Sequence, residues 1–430
     1  MTQTTTAGTN QAAAETATAG ASSLRGGAHG IGGGGVIPGA IPQLSARAAN
    51  PVLGAGFTVS RVPLAAGGIA LTGGVPDPAL LPIAELADAF TAVLGRPDAG
   101  TRTIQYHGPF GVHGLRSWIA QDQGTDLERV VVTNGALHSV SYAVEALIEP
   151  GDLVVVENPT FPLALQLFRY YRARVESVPL DSAGLDVDAL ERLLKAGARP
   201  KLLYTIPDFH NPATVTLPAE RRSRLVELAE RHGFVIVSDN PYGKLRFSGE
   251  PAPDFDLDSE HVVRAGTFSK VLGPGLRLGW AIAPSWLRDT FVRTRFAQDQ
   301  HAGLVTQRAV EHLAQTDGLV ERVVAGAVPV YAERAAVLFD ALRQRLGDRF
   351  EARRPDGGLF LWARVPGADL TRVLDLARAR GLAFSPGDGF DPDGRSVHRE
   401  WARFSYSSAS PEQLVIAADR FAQAVAEADR

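Results

Sequence analysis

Residues 266–280 read GTFSKVLGPGLRLGW, and no other stretch of the chain carries more information about its architecture. A run with β-branched residues, VVRAGT (262–267), leads into it, and a second apolar run, LRLGWAIA (276–283), leads out of it. Between the two predicted strands stand hydroxyls, an amine and a guanidinium: Thr267, Ser269, Lys270 and Arg277. Such groups at the end of a strand are typical of a binding site at the edge of a sheet.

The chain on the N-terminal side of this stretch alternates short apolar runs with amphipathic segments. The segment AERRSRLVELAERHG (219–233) has apolar residues at helical spacing and a stop signal in Gly233, which predicts a helix. Four further apolar runs predict strands: RVVVT (129–133), DLVVVE (152–157), KLLYTI (201–206) and FVIVSD (234–239). Strands alternating with helices predict an α/β fold with a mostly parallel central sheet flanked by helices.

The pattern changes after about residue 300, and we expect a smaller α+β domain over residues 311–430. Long helical segments, VPVYAERAAVLFDALRQRLG (328–347) and VLDLARARG (373–381), alternate there with GGLFLWARV (357–365) and ARFSYSSAS (402–410). The larger, ligand-binding domain is predicted over residues 101–310. Residues 56–100 are predicted to pack with the smaller domain, and the Gly-, Ala- and Thr-rich residues 1–55 are predicted to form a disordered leader.

The composition excludes several classes of function. The chain has 430 residues, 45% of them hydrophobic, a net charge of -4 and no cysteine, which excludes disulfides, thiolate chemistry and cysteine-based metal sites. No metal is expected. The sequence has no basic stripe, so no nucleic-acid partner is expected. No apolar run approaches the roughly 20 residues that span a bilayer, and the N-terminus lacks the features of a secretory signal, so we expect a cytoplasmic protein without membrane contact.

Polar residues follow the predicted strands where α/β proteins bind ligands, and as a set they suit one kind of ligand. Taken singly, Lys270 is typical of a solvated surface and Asp239 of a turn. Together, the lysine can hold an aldehyde as an imine, and the carboxylate can keep a pyridine nitrogen protonated. The helix start after Asn134, with its glycine, and the guanidinium of Arg277 suit a phosphate. The set therefore favours a phosphorylated pyridine aldehyde.

In this order the motifs resemble those of the fold-type I enzymes that use pyridoxal 5'-phosphate (PLP), within aminotransferase class I/II. The stretch that carries Lys270 is similar to the family signature S-x-S-K-x-x-x-P-G-x-R-x-G. The resemblance covers about residues 68–428 and is nearest to the kynurenine/2-aminoadipate aminotransferases and the aminotransferase-like half of MocR regulators. The other motifs are YHGPFGVHGLR (106–116), VVVENPTFPLAL (154–165), DFHNPA (208–213), VSDNPYGKLRF (237–247) and GGLFLW (357–362).

The resemblance implies a role for each residue near the cofactor ring. Lys270 would form the aldimine with PLP and move the proton during the reaction. Asp239 would pair with the ring nitrogen. Tyr242 and Asn211 would hydrogen-bond the ring oxygen, and Phe161 would stack on the ring face. Lys270, Asp239 and Tyr242 are thus the expected catalytic residues.

The resemblance also implies how the phosphate is held. Thr267, Ser269 and Arg277 would contact it, together with the backbone of Gly135 and Ala136.

For the substrate, the resemblance implies that Arg403 grips the α-carboxylate, with Asn211 beside it, and that Gly74 leaves room for it. Tyr106 would reach the cofactor phosphate of a neighbouring subunit, which makes a homodimer the expected unit.

Two departures from the family pattern stand close to the expected site. The family often has Asn-Pro-Thr-Gly where this chain has Asn211-Pro212-Ala213-Thr214, so a bulky residue replaces glycine in a turn. The phosphate loop reads Gly135-Ala136-Leu137-His138 where relatives often have Gly-Ser-Gln-Gln, so one hydroxyl is missing. His138 and His210 are either structural or tune substrate choice and proton movement.

The expected activity is transfer of an amino group between an α-amino acid, aromatic or of broad range, and a 2-oxo acid. A PLP enzyme with another reaction, such as an oxidase, hydroxylase, lyase or decarboxylase, is the alternative on nearly the same residues. A MocR-like regulator would need an N-terminal helix-turn-helix, and the N-terminal region is Gly/Ala-rich with no paired helices.

Overall fold

The structure, a computed structural model, describes residues 67–95, 97–316 and 318–430, together with Leu64 and residues 44–45 and 47–49. Most of the predicted leader (1–55) and the first residues of the predicted segment 56–100 lie outside this described part. The predicted boundaries at residues 100 and 310 stay predictions.

Helices make up much of the described chain, and α10 is the longest at 28 residues. Their bounds are Ile83–Leu94 (α1), Pro97–Thr103 (α2), His113–Gln123 (α3), Ala136–Leu147 (α4), Pro162–Tyr170 (α5), Val187–Lys195 (α6), Ala219–His232 (α7), Ser285–Gln298 (α8), Leu304–Gln315 (α9), Leu319–Leu346 (α10), Leu370–Ala379 (α11) and Pro411–Ala428 (α12).

The strands of the described residues form three sheets, of eight, four and two strands. Their bounds are Ile69–Ala70 (β1), Val130–Thr133 (β2), Leu153–Asn158 (β3), Arg174–Asp181 (β4), Gly184–Leu185 (β5), Pro200–Thr205 (β6), Val235–Asp239 (β7), Val262–Thr267 (β8), Gly279–Ile282 (β9), Glu351–Ala352 (β10), Phe360–Arg364 (β11), Leu382–Ala383 (β12), Ser385–Pro386 (β13) and Trp401–Ser405 (β14).

The eight-stranded sheet has the order β2-β9-β8-β7-β6-β3-β4-β5. Strands β8, β7, β6, β3 and β4 pair in parallel, whereas β9 runs antiparallel to both of its neighbours. The carboxyl ends of the parallel strands therefore meet at one edge, where Asp239 pairs with Ala265 and Thr205 with Ser238. This edge places residues that are far apart in sequence side by side.

The strands are buried on both faces, which is why their sequences are almost continuously apolar. Within β3, Val155 packs in one core cluster, whereas Val154 and Val156 pack in another on the opposite face. The first cluster includes Leu225 of α7, and the second includes Phe168 of α5. The predicted α/β fold, a mostly parallel sheet with helices on both faces, is confirmed.

The smaller layer is built on the four-stranded antiparallel sheet β10-β11-β14-β13. Its core joins Leu361 of this sheet to Leu338 of α10, Val373 of α11 and Leu414 of α12. The two-residue strand β1 pairs in parallel with β12, so the chain around Ile69 lies against this layer. No helix in the described part of the chain is both long and apolar enough to cross a membrane.

The predicted starts of one strand and one helix were wrong. The run 276–283 was expected to be one strand, but residues 274–276 form a 3-10 turn, Arg277 has a left-handed φ of 48°, and β9 begins only at Gly279. The helix expected from residue 328 begins at Leu319 and contains Pro329. Burial of Ala327 and Tyr331 in the core outweighs the backbone hydrogen bond that the proline cannot make.

Backbone atoms of two other segments lie close to Gly279, so a side chain at this position should destabilise the fold. A Cβ at this position would lie 2.5 Å from the Gly266 carbonyl oxygen and 2.8 Å from Gly135 Cα. Backbone atoms cannot rotate away, so we expect Gly279→Ala to lower the free energy of unfolding by about 1–3 kcal/mol in denaturant titrations. The control is Gly275→Ala, because a Cβ there meets no atom within 4 Å. Equal stability of the two variants would contradict the prediction.

Candidate active site

A cavity of about 300 Å³ lies at the carboxyl edge of the eight-stranded sheet and reaches the smaller layer. It collects residues from distant parts of the sequence onto one surface. Of the residues predicted to form the site, the structure brings together Gly74, Gly135, Ala136, Phe161, Asn211, Asp239, Tyr242, Thr267, Ser269, Lys270, Arg277 and Arg403. Tyr106 does not line this cavity.

Lys270 projects into the cavity from the turn that follows β8. Its Nζ donates a hydrogen bond of 2.7 Å to the Gly74 carbonyl and lies 5.9 Å from the centre of the Tyr242 ring. Burial lowers the pKa of Lys270 to about 8; Asp239 opposes this shift, and the positive charge of Arg403 adds to it. A lysine with this pKa is far more often a neutral amine near pH 7 than an exposed lysine is.

Asp239 ends β7 with its carboxylate on the cavity wall. The Tyr204 hydroxyl donates to Oδ2 at 2.8 Å, whereas Oδ1 is buried and accepts no hydrogen bond from the described residues. Burial raises the pKa of Asp239 to about 6, against the hydrogen bond from Tyr204 and the charge of Lys270. A buried oxygen without a partner is costly, so the site is suited to a ligand that supplies a donor or positive charge there.

Tyr242 and Asn211 lie together beside Lys270. Both are buried. Burial raises the pKa of the tyrosine well above its usual value, and the charge of Arg403 opposes this shift. The side-chain oxygen of Asn211 also accepts a hydrogen bond of 2.7 Å from Arg403 Nη1. Asn211 therefore lies between Tyr242 and Arg403 in the cavity wall.

Arg403 stands on β14 with a side chain only 1% exposed. Its Nη2 donates to the Thr72 carbonyl at 2.6 Å, and its guanidinium carbon lies 4.2 Å from the centre of the Phe360 ring. Burial lowers the pKa of Arg403 to about 10, so the side chain stays charged at neutral pH. Neutral acceptors and aromatic rings thus hold a buried cation at the cavity wall, which suits binding of an anion.

The opposite end of the cavity is formed by the N-terminus of α4. Gly135 precedes the helix with φ of 92°, and a Cβ there would lie 2.9 Å from Arg277 Nη2. The Thr267 hydroxyl donates to Ser269 Oγ at 2.8 Å on the same side. Backbone N–H groups at a helix start, hydroxyls and a guanidinium around one point make an anion site, and glycine keeps it open.

Phe161 and Gly74 form further parts of the wall. Phe161 is half-buried immediately before α5 and lines the cavity. A Cβ on Gly74 would overlap the Phe360 ring, so only glycine fits beside Lys270 at this position.

Tyr106 is 82% exposed, and its ring meets the His301 ring edge-on with 6.1 Å between centroids. Tyr106 was predicted to contact the site of another subunit. Because it lies on the surface of the single chain, it can make such a contact.

The two histidines lie outside the cavity lining. His138 Nδ1 accepts a hydrogen bond of 3.2 Å from the backbone N–H of Asn134, and burial lowers the pKa of His138. His210 is buried with Nε2 3.0 Å from Glu157 Oε2, and its Nδ1 accepts from the Ala213 N–H. Both histidines therefore brace the loops that carry site residues.

The departure at residues 211–214 has a structural consequence. Thr214, which replaces the family glycine, has a left-handed φ of 61°. A β-branched residue is strained in this region, which explains why glycine suits the turn. Hydrogen bonds from Thr214 N to the His210 carbonyl and from His210 N to the Val215 carbonyl close the turn.

Sequence reasoning missed three side chains around the site: Tyr204, Phe360 and Phe390. A tyrosine inside the buried run KLLYTI was a signal, because a hydroxyl in a core strand needs a partner. Nothing in the local sequence indicates that the two phenylalanines contact Arg403.

The comparisons with known proteins agree with this geometry. The family model "Aminotransferase class I and II" matches residues 83–421, and the chain belongs to this family. An aromatic-amino-acid aminotransferase from Thermococcus litoralis is 34% identical over 84% of this chain and 88% of that protein.

Solved structures of related enzymes superpose on most of the chain. One is an α-aminoadipate aminotransferase from Thermus thermophilus, complexed with N-(5'-phosphopyridoxyl)-L-leucine; it is 30% identical, with a TM-score of 0.79 over 84% of this chain and 93% of that one. Another is a kynurenine aminotransferase from Pyrococcus horikoshii, 29% identical, with a TM-score of 0.77 over 84% of this chain and 91% of that one. The protein is a PLP-dependent aminotransferase of fold-type I.

The residues present fit PLP. The free, buried Oδ1 of Asp239 can face a protonated ring nitrogen, and the space that glycine leaves at residue 135 lies where a phosphate can meet the helix N-terminus and Arg277. Lys270 supplies an amine in the same cavity.

The pKa of Lys270 predicts how PLP uptake depends on pH. Only the neutral amine is a nucleophile, so the rate at which PLP-free protein takes up PLP should rise with pH with a midpoint at about 8, not near the ordinary lysine value of 10.5. The measurement is the growth of visible absorbance after mixing at each pH, with a blocked lysine amino acid as the reference. A midpoint near that of the reference would contradict the lowered pKa.

Proposed function

We propose that the enzyme moves the amino group of an aromatic or other large apolar α-amino acid to a 2-oxo acid, with the residues of the cavity in the roles described below. The observation that carries the proposal is the juxtaposition of Lys270, the free oxygen of Asp239 and the buried Arg403 in one apolar cavity. This arrangement supplies a proton carrier, an anchor for the cofactor ring and an anion site for a carboxylate.

Lys270 is proposed as the residue that holds PLP and moves the proton. Its pKa of about 8 lies close to the working pH, so Nζ can both accept a proton from the substrate Cα and return one. When bound, PLP supplies an electron-withdrawing ring that stabilises the negative charge left by the departing proton.

Asp239 is proposed to keep the ring nitrogen protonated. The Tyr204 hydroxyl occupies Oδ2 and thereby orients Oδ1 toward the cavity. In a buried position, opposite charges attract far more strongly than in water, so this contact is worth more than a surface ion pair.

Tyr242, Asn211 and Phe161 are proposed to orient the ring. The first two would donate hydrogen bonds to the ring oxygen from one side, and Phe161 would cover a ring face. The α4 N-terminus at Gly135 and Ala136, with Thr267, Ser269 and Arg277, would hold the phosphate.

Arg403 is proposed to bind the substrate α-carboxylate. Its guanidinium donates to the Asn211 side-chain oxygen, the Thr72 carbonyl and the Ser385 hydroxyl, which are neutral acceptors. A planar guanidinium binds a carboxylate through two parallel hydrogen bonds and so also sets its orientation.

The substrate side chain is proposed to be large and apolar because of the remaining wall. Val75, Leu137, Leu163 and Phe360 line it. Within the described residues, the cations of the cavity are Lys270, Arg277 and Arg403. Each of them already has a proposed role toward PLP or the α-carboxylate. A second carboxylate on the substrate would be buried without a charged partner, which is unfavourable.

Single-turnover reactions test this proposal. Holoenzyme given an amino donor but no oxo acid should form one oxo-acid product per chain and then stop. Phenylalanine and tyrosine should react at least about tenfold faster than aspartate, because the latter buries an unpaired charge. Sustained oxygen uptake or ammonia release would instead indicate another PLP reaction.

The Asp239→Asn variant isolates the charge of the ring contact, because the two side chains have the same shape. We expect it to retain PLP but to slow the single turnover by about 100-fold or more, as is typical when a preorganised charge is removed from a reaction site. Lys270→Ala, as the matched control, should lose the absorbance that is specific to PLP joined to the lysine. Turnover by Asp239→Asn at the wild-type rate would contradict the role proposed for Asp239.

We propose a homodimer in which Tyr106 contributes to the partner's phosphate site. The exposure of this aromatic side chain and of Ile104, 67% exposed two residues earlier, supports an interface there. The cytoplasmic location expected from the N-terminal sequence stays a prediction.

Mixed dimers test the contribution of Tyr106. Tyr106→Phe alone should weaken PLP binding by about 10- to 100-fold, because a hydrogen bond to a charged group is lost. When this variant is co-expressed with Lys270→Ala, the intact lysine should meet an intact partner tyrosine, and PLP affinity in the mixed dimer should recover. Absence of recovery in a purified mixed dimer would place Tyr106 outside the partner's site.

A further inference from the structure

Residues 387–398, here called the strap, connect the smaller layer to the edge of the eight-stranded sheet. The strap leaves β13 and ends shortly before β14. The Phe390 carbonyl accepts from the Thr160 N–H at 2.9 Å, and the Pro392 carbonyl accepts from Arg169 Nη2 at 2.9 Å. Asp393 Oδ2 accepts from the Ser177 hydroxyl, also at 2.9 Å.

The end of the strap is fastened as well, and its interior is folded by one carboxylate. His398 Nε2 lies 2.6 Å from Asn158 Oδ1 at the end of β3. Asp391, 6% exposed, accepts the backbone N–H groups of Asp393 at 2.9 Å and Arg395 at 2.8 Å. The strap is therefore a defined loop fixed to the larger sheet at several points.

Phe390 is the residue of the strap that reaches toward the cavity. It is 3% exposed, and its ring centre lies 4.8 Å from the guanidinium carbon of Arg403. Its ring also meets Trp362 edge-on at 5.7 Å. Phe390 itself does not line the cavity, so it acts on a ligand only through the arginine.

We propose that Phe390 is a positioning residue for Arg403 and that the strap holds its ring in place. The proposal rests on the carboxylate-binding role proposed for Arg403 and deepens it. An aromatic face attracts a cation strongly when both are shielded from water, and it restrains the plane of the guanidinium. An arginine held in one plane loses less freedom when it binds a carboxylate, so the substrate binds more tightly.

The backbone of Phe390 also bonds to the segment that carries Phe161, a residue of the cavity wall. Thr160, whose N–H bonds to the Phe390 carbonyl, directly precedes Phe161. The strap thus fixes the distance between the arginine and the turn that carries the ring-facing phenylalanine. Loosening it should affect carboxylate binding before it affects PLP binding.

The experiment measures binding of 3-phenylpropanoate, an unreactive monocarboxylate, to the holoenzyme by calorimetry. Phe390→Leu should weaken binding roughly 5- to 30-fold, the range of a shielded cation–π contact, while Phe390→Tyr, which keeps the ring, should bind as the wild type does. With an amino donor, Phe390→Leu should raise KM and leave kcat nearly unchanged. PLP content and thermal stability, measured on every variant, should show a folded holoenzyme.

Three further variants separate this inference from general effects. Phe421→Leu removes a ring that packs on Phe404 in the core of the smaller layer, and it should leave binding unchanged. Asp393→Ala loosens the strap from an exposed position and should weaken binding about two- to threefold. Asp375→Asn, an exposed change on α11, should have no effect.

Arg403→Gln distinguishes failure of the inference from failure of the proposed function. If Arg403→Gln abolishes binding but Phe390→Leu binds as the wild type does, the inference is wrong and the role of Arg403 stands. If Arg403→Gln itself binds normally, the carboxylate site is elsewhere. The role proposed for Arg403 and the inference about Phe390 are then both wrong. Equal weakening in Phe390→Leu and Phe421→Leu would assign the effect to packing and overturn the inference.

Discussion

One buried carboxylate determines how the site can work. Asp239 presents an oxygen without a hydrogen-bond partner among the described residues, while Tyr204 holds the other oxygen. Such a group is unfavourable in an empty core and favourable beside a protonated ring nitrogen, so in the role proposed for Asp239 the free energy of cofactor binding would offset this cost in the folded chain. The depressed pKa of Lys270 follows from the same burial.

The sheet is what makes this arrangement possible. Asp239 and Thr267 end neighbouring parallel strands, so a lysine three residues beyond the second strand reaches the same cavity. The opposite wall comes from β14 of the smaller layer, which contributes Arg403. In our proposal, the strap joins the two layers and keeps Arg403 at a constant distance from the turn that carries Phe161, which is a condition for orienting a substrate between them.

The sequence predicted the parts of the site that depend on short-range patterns. A polar residue that closes an apolar run, as Asp239 does, marks the end of a strand, and parallel strand ends converge by geometry. Contacts between distant segments were not predictable in this way. The bond from Tyr204 to Asp239 depends on the alignment of β6 with β7, and the contact between Phe390 and Arg403 depends on the path of a loop. The left-handed Arg277 was missed because its neighbours read as a strand, and only the backbone of the folded turn shows otherwise.

The protonation state of the ring nitrogen tests the central claim most directly. PLP labelled with nitrogen-15 in the ring, bound to the protein and observed by NMR, reports whether that nitrogen carries a proton. The account predicts a protonated nitrogen at neutral pH in the wild-type holoenzyme and an unprotonated one in Asp239→Asn. An unprotonated nitrogen in the wild type, or the same chemical shift in both proteins, would contradict it.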